Sequence, residues 1–327
     1  MNPKISLMIH TASHDCFLKN QGINSAFQMI VDCLLQQSFK EFEFIYIDTY
    51  YDDNKLTFQK IDTPFVVKHV PVHSEHRYWY DQNFTYIAAA KNTGILYADG
   101  ELLVTIDDSE ILPPHLLQKY WEYYQAGFLM HAFHNRMKSV QTQEGRLKFP
   151  IQGDVYCNDS RKFDQVCYHL NGTWTYAGTS FSLKDAIRLN GFNEKMDGYK
   201  GGEDVEFGMR LVRLGRKLVI DQNAYVYILD HDNYMDAPGH SKKLNHFIAL
   251  ESYGIMAANQ ELFEIEANKN NITPKHMEII KRETLKYRGF DPLAPENSEK
   301  LRIWSNVPSF NLNNQRIALR QNNWSWQ

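Results

Sequence analysis

Apolar residues in the first hundred positions alternate between short unbroken runs and stretches with helical spacing. Ile5 to Ile9 (ISLMI) is one such run, and from Ile23 to Leu35 the residues Ile23, Phe27, Ile30, Val31 and Leu34 recur on one helical face. FEFIYID reads as a second strand ending on Asp48, PFVVKHV as a third, NFTYIAAAKNTGILYADG as a helix stopped at Asp99-Gly100, and ELLVTI as a fourth strand. This alternation predicts an α/β fold with a mostly parallel sheet and helices on both faces. In such sheets ligands bind beyond the carboxyl ends of the strands. Thr11, Asp48, Asp107 and Asp108 all fall there, so four polar residues from separate strands are expected to converge on one edge.

A helix is expected from Pro114 to about Gln125, after which the pattern loosens. Residues 131–172 are polar and poorly periodic, which predicts hairpins or a mobile loop region. Order returns with WTYAGTSFSL as a strand, KDAIRLNGF as a short helix with a Gly turn, GGEDVEFGMRLVRLG as a helix, and KLVIDQNAYVYILDHD as two strands. Beyond His240 two helices are expected, with apolar positions such as Phe247, Leu250, Tyr253 and Ile255 that need a packing partner. From about Asp291 the chain is Asn-rich and carries Trp304, Trp324 and Trp326, for which plain packing is favoured over a role against sugar rings.

Composition narrows the function classes. The chain has 327 residues and is 43% hydrophobic, enough for one large α/β unit or two packed domains. Its 35 basic and 39 acidic side chains give a net charge of −4 and are interspersed, so no basic face is offered to nucleic acid. The four cysteines, Cys16, Cys33, Cys157 and Cys167, lack CxxC spacing, which fits a reducing compartment and no structural zinc. No segment approaches the roughly 18 apolar residues of a membrane span, so a soluble, cytoplasmic protein is expected, with peripheral membrane association left open. Asn-X-Ser/Thr sequons such as that at Asn83 carry little weight without a secretory signal.

Three clusters carry candidate chemistry. Asp107-Asp108 follows an apolar strand in LLVTIDDSEILPP; a helix cap before PPHLL is one account of it, and a divalent metal site of hard carboxylate oxygens is the other. In YKGGEDVEFGMRL, Phe207, Leu211 and Leu214 form a helical stripe that puts Glu203 and Asp204 in the first turn, behind Gly201-Gly202. The helix dipole favours acids there, but the paired glycines also clear room for a ligand beside a carboxylate able to act as general base. His231, in ILDHDN, ends another strand, and a lone histidine is more often structural; its position after the proposed base makes it a candidate third metal ligand, which tilts the ion toward Mn²⁺ over Mg²⁺.

Taken together these segments resemble a family 2 glycosyltransferase of the GT-A fold, a Rossmann-like nucleotide-diphospho-sugar transferase. ISLMIHTAS looks like the family's first strand, and LLQQSFKEFEFIYIDT like its second-strand segment. KNTGILYADGELLVTIDDSEILPPHLL looks like its stretch ending in consecutive acids, and GGEDVEFGMRLVRLG like its acceptor-side motif. The resemblance covers residue 4 to about 232. It implies that Thr11 and Asp48 contact the nucleotide base and ribose, Asp107 the ribose or the metal, and Asp108 an Mn²⁺ or Mg²⁺ bridging the diphosphate. It further implies Asp204 as catalytic base with Glu203 positioning the acceptor, and His231 as a metal ligand. Lys91 stands where the family has Arg and is expected on the donor side. The usual Pro-Thr-Tyr is His10-Thr11-Ala12, so the ring expected to stack on a uracil is absent there, and Tyr50 or Tyr51 is the substitute. Thr49 replaces the second Asp of the pair after strand two.

The expected activity is therefore inverting, metal-dependent sugar transfer from a nucleoside-diphosphate sugar, UDP-linked by preference, to a glycan or glycoconjugate hydroxyl. A noncatalytic sugar-nucleotide or glycan-binding protein on the same scaffold is the alternative, disfavoured because a binder has no need of Asp204. A nucleotidyltransferase ranks third, since HTASHDCFLKNQG makes a poor phosphate loop. The expected layout is a glycosyltransferase domain over 1–240, with a nucleotide-sugar half (1–112) and an acceptor half (113–240), then a helical extension over 241–327.

Overall fold

The computed structural model describes residues 2–11, 22–48, 51, 62–72, 87–156, 166–169, 178–194, 203–230 and 312–321. Four parallel strands form one half of a ten-stranded mixed sheet: β1 (Ile5–Thr11), β2 (Phe42–Asp48), β3 (Val66–Pro71) and β4 (Leu102–Ile106), in the order β4-β1-β2-β3. The helices between them are α1 (Ala26–Leu35), whose N-cap Ser25 accepts from the Gln28 amide, and α2 (Ile87–Tyr97). Beyond β4 the sheet continues through β11 (Thr179–Ser182), β6 (Phe128–Val140), β12 (Lys217–Leu229) and β10 (Val166–His169). In this half β11 runs antiparallel to β4 and β6, and β10 antiparallel to β12, while β6 and β12 pair in parallel. The expected parallel character thus holds for the first half and the β6–β12 pair.

Period-two alternation divides the core between the two faces of the sheet. Ile5, Leu7, Ile9, Phe44, Tyr46 and Val104 pack on one face with α1 and with α3 (Leu116–Gln125). Met8, Ile45, Ile47 and Leu103 pack on the other with α2 and α5 (Glu203–Arg213). Helix α2 sits close to the sheet because its inward positions are small: a Cβ on Gly94 would lie 2.7 Å from Met8 Sδ.

Two stretches differ from the sequence reading. Residues 128–140, expected to belong largely to a loose region, form the 13-residue strand β6, in which His131 is fully buried with Nδ1 2.5 Å from Thr179 Oγ1 while Lys138 and Ser139 are exposed. The hairpin expectation does hold for β7 (Thr142–Gln143) with β8 (Arg146–Leu147), and β9 (Gly153–Tyr156) pairs with β6. KLVIDQNAYVYIL is one strand rather than two. Its register shifts between Asp221 and Tyr225, where Asp221 Oδ1 takes the Asn223 amide at 2.8 Å and turns the chain locally without ending the pairing.

From the Asn-rich tail, α6 (Leu312–Gln321) docks on α2. Leu312 is buried, Arg316 Nη1 donates to the carbonyls of Ile95 and Leu96 at 2.9 Å each, and Arg320 donates to Ala98 O at 3.1 Å and pairs with Asp99. These arginines occupy the orphan carbonyls at the end of α2. The expected helices beyond His240 and the three tail tryptophans lie outside the described residues.

Candidate functional site

The parallel strands β1, β2 and β4 end abreast, which brings the polar residues after them together. Thr11 pairs in register with Asp48, and Ile9 with Ile106, so Asp107 and Asp108 emerge beside His10 and Thr11. Thr11 Oγ1 donates to Asp108 Oδ2 at 3.1 Å. Asp107 is exposed and Asp108 half-buried. They do not cap the next helix: β5 (Glu110–Ile111) intervenes, and the N-cap of α3 is His115. The helix-cap account of this pair therefore falls away.

Asp48 is fully buried, and its Oδ2 lies 2.9 Å from His69 Nε2 on β3. The Tyr51 ring sits 4.6 Å, centroid to centroid, from the His69 ring. Tyr51 is thus an aromatic ring at the edge where the sequence left a choice between Tyr50 and Tyr51; Tyr50 lies outside the described residues. His69 itself was missed, because a histidine inside an apolar strand gives no signal until the register that sets it opposite Tyr46, two residues before Asp48, is known.

The acceptor-side acids lie on the first turn of α5, as expected, with Glu203 buried and Asp204 half-buried. Lys91 Nζ donates to Glu203 Oε1 at 3.1 Å and sits 5.0 Å from the centre of the Phe192 ring. Burial works against the charged ammonium, but the carboxylates of Glu203, Asp204 and Asp107 outweigh it and hold the Lys91 pKa above its ordinary value. Lys91 therefore feels the acids of both sets, Asp107 from β4 and Glu203 and Asp204 from α5.

The next residue on α2, Asn92, fixes where α5 stands. Its Oδ1 accepts from the Phe192 amide at 2.7 Å, and its Nδ2 donates to Phe192 O at 2.9 Å and to Glu194 Oε1 at 2.8 Å. Gly191, at φ 72°, permits this approach, since a Cβ there would fall 2.1 Å from Asn92 Oδ1. The Phe192 ring stacks on Phe207 of α5 at 4.1 Å. Arg210 adds a second tie from α5 to Leu189 O at 2.8 Å, at the end of α4 (Leu183–Arg188). None of this was read from the sequence, although Asn92 belongs to the KNTG stretch that carried the resemblance.

Beneath the aspartates, Glu110 is buried, with Oε2 accepting the Asp107 amide at 3.2 Å and Oε1 3.9 Å from His134 Nε2. Burial first, and then the Asp107 and Asp108 carboxylates, push its pKa well above the usual carboxyl range.

Adjacent Asp107 and Asp108 offer hard oxygen donors suited to Mg²⁺ or Mn²⁺, an ion that leaves positions to phosphate oxygens. Among the described residues no group of three or more His, Cys, Asp or Glu side chains is arranged to hold a metal, so such an ion would draw further ligands from substrate or from residues outside that set. His231 lies outside it. Within the described residues β12 pairs with β5, and the Leu229 amide donates to Ser109 O at 3.0 Å, one residue after Asp108.

In sequence the chain is similar to the glycosyltransferase GlyG of Streptococcus pneumoniae, at 25% identity over 208 residues. This is a glycosyltransferase likeness. The match takes in 61% of this chain and 65% of GlyG, so the aligned part spans less than two thirds of that relative. No family model matches the chain. In fold it is similar to S. aureus TarS residues 1–349 solved with UDP-GlcNAc, with a TM-score of 0.56 at 11% identity, covering 98% of this chain and 92% of that one. A further TarS structure matches with a TM-score of 0.53 at 11% identity over 96% of this chain and 54% of that one. Among the described residues no helix is long and apolar enough to cross a membrane.

Proposed function

We propose that the chain is a glycosyltransferase of the GT-A type that moves a sugar from a nucleoside-diphosphate sugar to a hydroxyl of a glycan or glycoconjugate, with inversion. The observation that carries the reading is one ammonium shared by acids of both sets: Lys91 is bonded to Glu203 on α5 and feels the charges of Asp204 on α5 and of Asp107 at the strand edge. The GlyG likeness supports the activity, and the TarS complexes with UDP-GlcNAc and with UDP favour a UDP-linked donor.

In this reading the strand edge takes the donor. Thr11 orients Asp108, Asp48 and Tyr51 take the ribose and base, and Asp107 takes the ribose or the ion. His231 serves with Asp108 as a metal ligand. Bound Mn²⁺ or Mg²⁺ supplies neutralising charge for the departing diphosphate. Asp204 accepts the proton of the acceptor hydroxyl, whose oxygen bonds to the anomeric carbon as the bond from that carbon to the diphosphate oxygen breaks. Glu203 positions the acceptor. Domain limits of 1–240 for the transferase and 241–327 for an extension belong to the same proposal, as does a cytoplasmic site of action.

The test separates the two halves. Asp108→Ala should lose nucleotide-sugar binding, while Asp204→Asn should keep it and lose turnover. Equal loss of binding in both variants, or full turnover in Asp204→Asn, contradicts the assignment.

A further inference from the structure

Lys91 stands at an unusual place for a donor-side cation, because its ammonium already has a partner on the acceptor side. Its Nζ reaches Glu203 Oε1 at 3.1 Å, with 15% of the lysine side chain and 8% of the glutamate side chain exposed. The Phe192 ring lies 5.0 Å away, and Asn92 pins that ring through both backbone atoms of Phe192. Lys91 is in contact with Glu203 and feels the charges of Asp204 and Asp107 as well. A nucleoside diphosphate entering beside Asp107 adds negative charge to a set already rich in it. A lysine has a flexible four-carbon stem and rotatable donors, so it can follow the stronger charge without moving its backbone.

We propose that Lys91 is exchanged between Glu203 and the donor diphosphate: in the unliganded protein it is held by Glu203, and donor binding draws the ammonium away and frees the Glu203 carboxylate for the acceptor hydroxyl. This rests on the glycosyltransferase reading above and adds a coupling between its two halves. It makes Glu203 a competitor of the donor for one cation. Removing the glutamate charge should therefore strengthen donor binding, the opposite of what loss of a supporting residue does.

The experiment is calorimetric titration of UDP, without acceptor and with Mn²⁺ throughout, into wild type, Glu203→Gln, Lys91→Met and the double variant. Thermal melts accompany each to show that the fold is kept. Glu203→Gln should bind UDP about three- to tenfold more tightly, and Lys91→Met more weakly by a similar factor, the scale of one charge pair partly shielded from solvent. In the Lys91→Met background the Glu203→Gln gain should vanish, because no ammonium remains to release. Lys91→Arg keeps a cation at the same site and should keep the gain, which guards against a methionine variant that fails to fold. Unchanged or weaker binding by Glu203→Gln overturns the exchange. So does a gain that persists in the Lys91→Met background, since that reports a general loss of negative charge. If wild type binds neither UDP nor any other nucleoside diphosphate, the donor-site reading fails and the exchange with it.

Discussion

The Thr11 hydroxyl donates to Asp108 Oδ2 at 3.1 Å, joining the ends of β1 and β4 at the edge where the candidate site lies. Thr11→Val keeps the shape and removes the donor. We expect a stability change within about 1 kcal/mol, the net worth of one hydrogen bond, and a severalfold loss of nucleotide affinity as Asp108 gains freedom. Titration of UDP and a melting curve check both, and an unchanged affinity would show that Asp108 needs no such orientation.

Asp204→Asn should cut turnover by about 10²- to 10⁴-fold, the usual contribution of a general base, and leave the fold intact. Attack in line with the leaving diphosphate also fixes the stereochemistry. Proton NMR of the product should show the inverted anomer, and a retained configuration would rule out a single-displacement mechanism.

The buried Glu110 gives a pH signature. Burial first, and then the Asp107 and Asp108 carboxylates, raise its pKa well above the ordinary 4.5 in the folded chain. The folded state thus binds a proton that the unfolded state releases above about pH 4.5, so stability associated with Glu110 is present at low pH and declines as pH rises toward the raised value. Glu110→Gln mimics the neutral form without this loss. Denaturant unfolding of the two proteins should nearly coincide near pH 4 and show the variant as the more stable at pH 8; a wild type that gains stability relative to the variant over that range would reverse the sign.

Removing residues 312–327 strips the Arg316 and Arg320 contacts from the end of α2, the helix that carries Lys91 and Asn92. We expect a lowered melting temperature, with donor hydrolysis and sugar transfer falling together. Loss of transfer alone, with the melting temperature kept, would assign the tail to the acceptor.

Much of this was legible in the sequence because it depends on local pattern. The runs ISLMI, FEFIYID and ELLVTI are buried strands, and the polar residues at or just after their ends had to meet at one edge whatever the details of the loops. The acids of α5 were legible from the apolar stripe behind them. What escaped depended on partners distant in sequence. Strand β6 buries His131 against Thr179 of β11, inside a run buried from Leu129 to Phe133, and so lacks the alternation that marks a strand. Asn92 looked like one more polar residue in a helix until the turn at 191–194, a hundred residues on, supplied its partners. The contact of Lys91 with Glu203 escaped for the same reason, since the helix that carries Glu203 lies just as far along the chain. Helix α6 is weakly apolar, and its place is decided by two arginines reaching another helix's carbonyls.

The central claim is transfer from a nucleotide sugar, and its most direct test is a panel of UDP-, GDP- and dTDP-sugars incubated with the purified chain, reading nucleoside diphosphate release with Mn²⁺ or Mg²⁺ and in excess chelator. The account predicts release from at least one sugar, a UDP-sugar first, that requires the divalent ion and disappears in Asp108→Ala. Full release in chelator would contradict the metal dependence, and no release from any member of the panel, with no binding of any, would contradict the account as a whole.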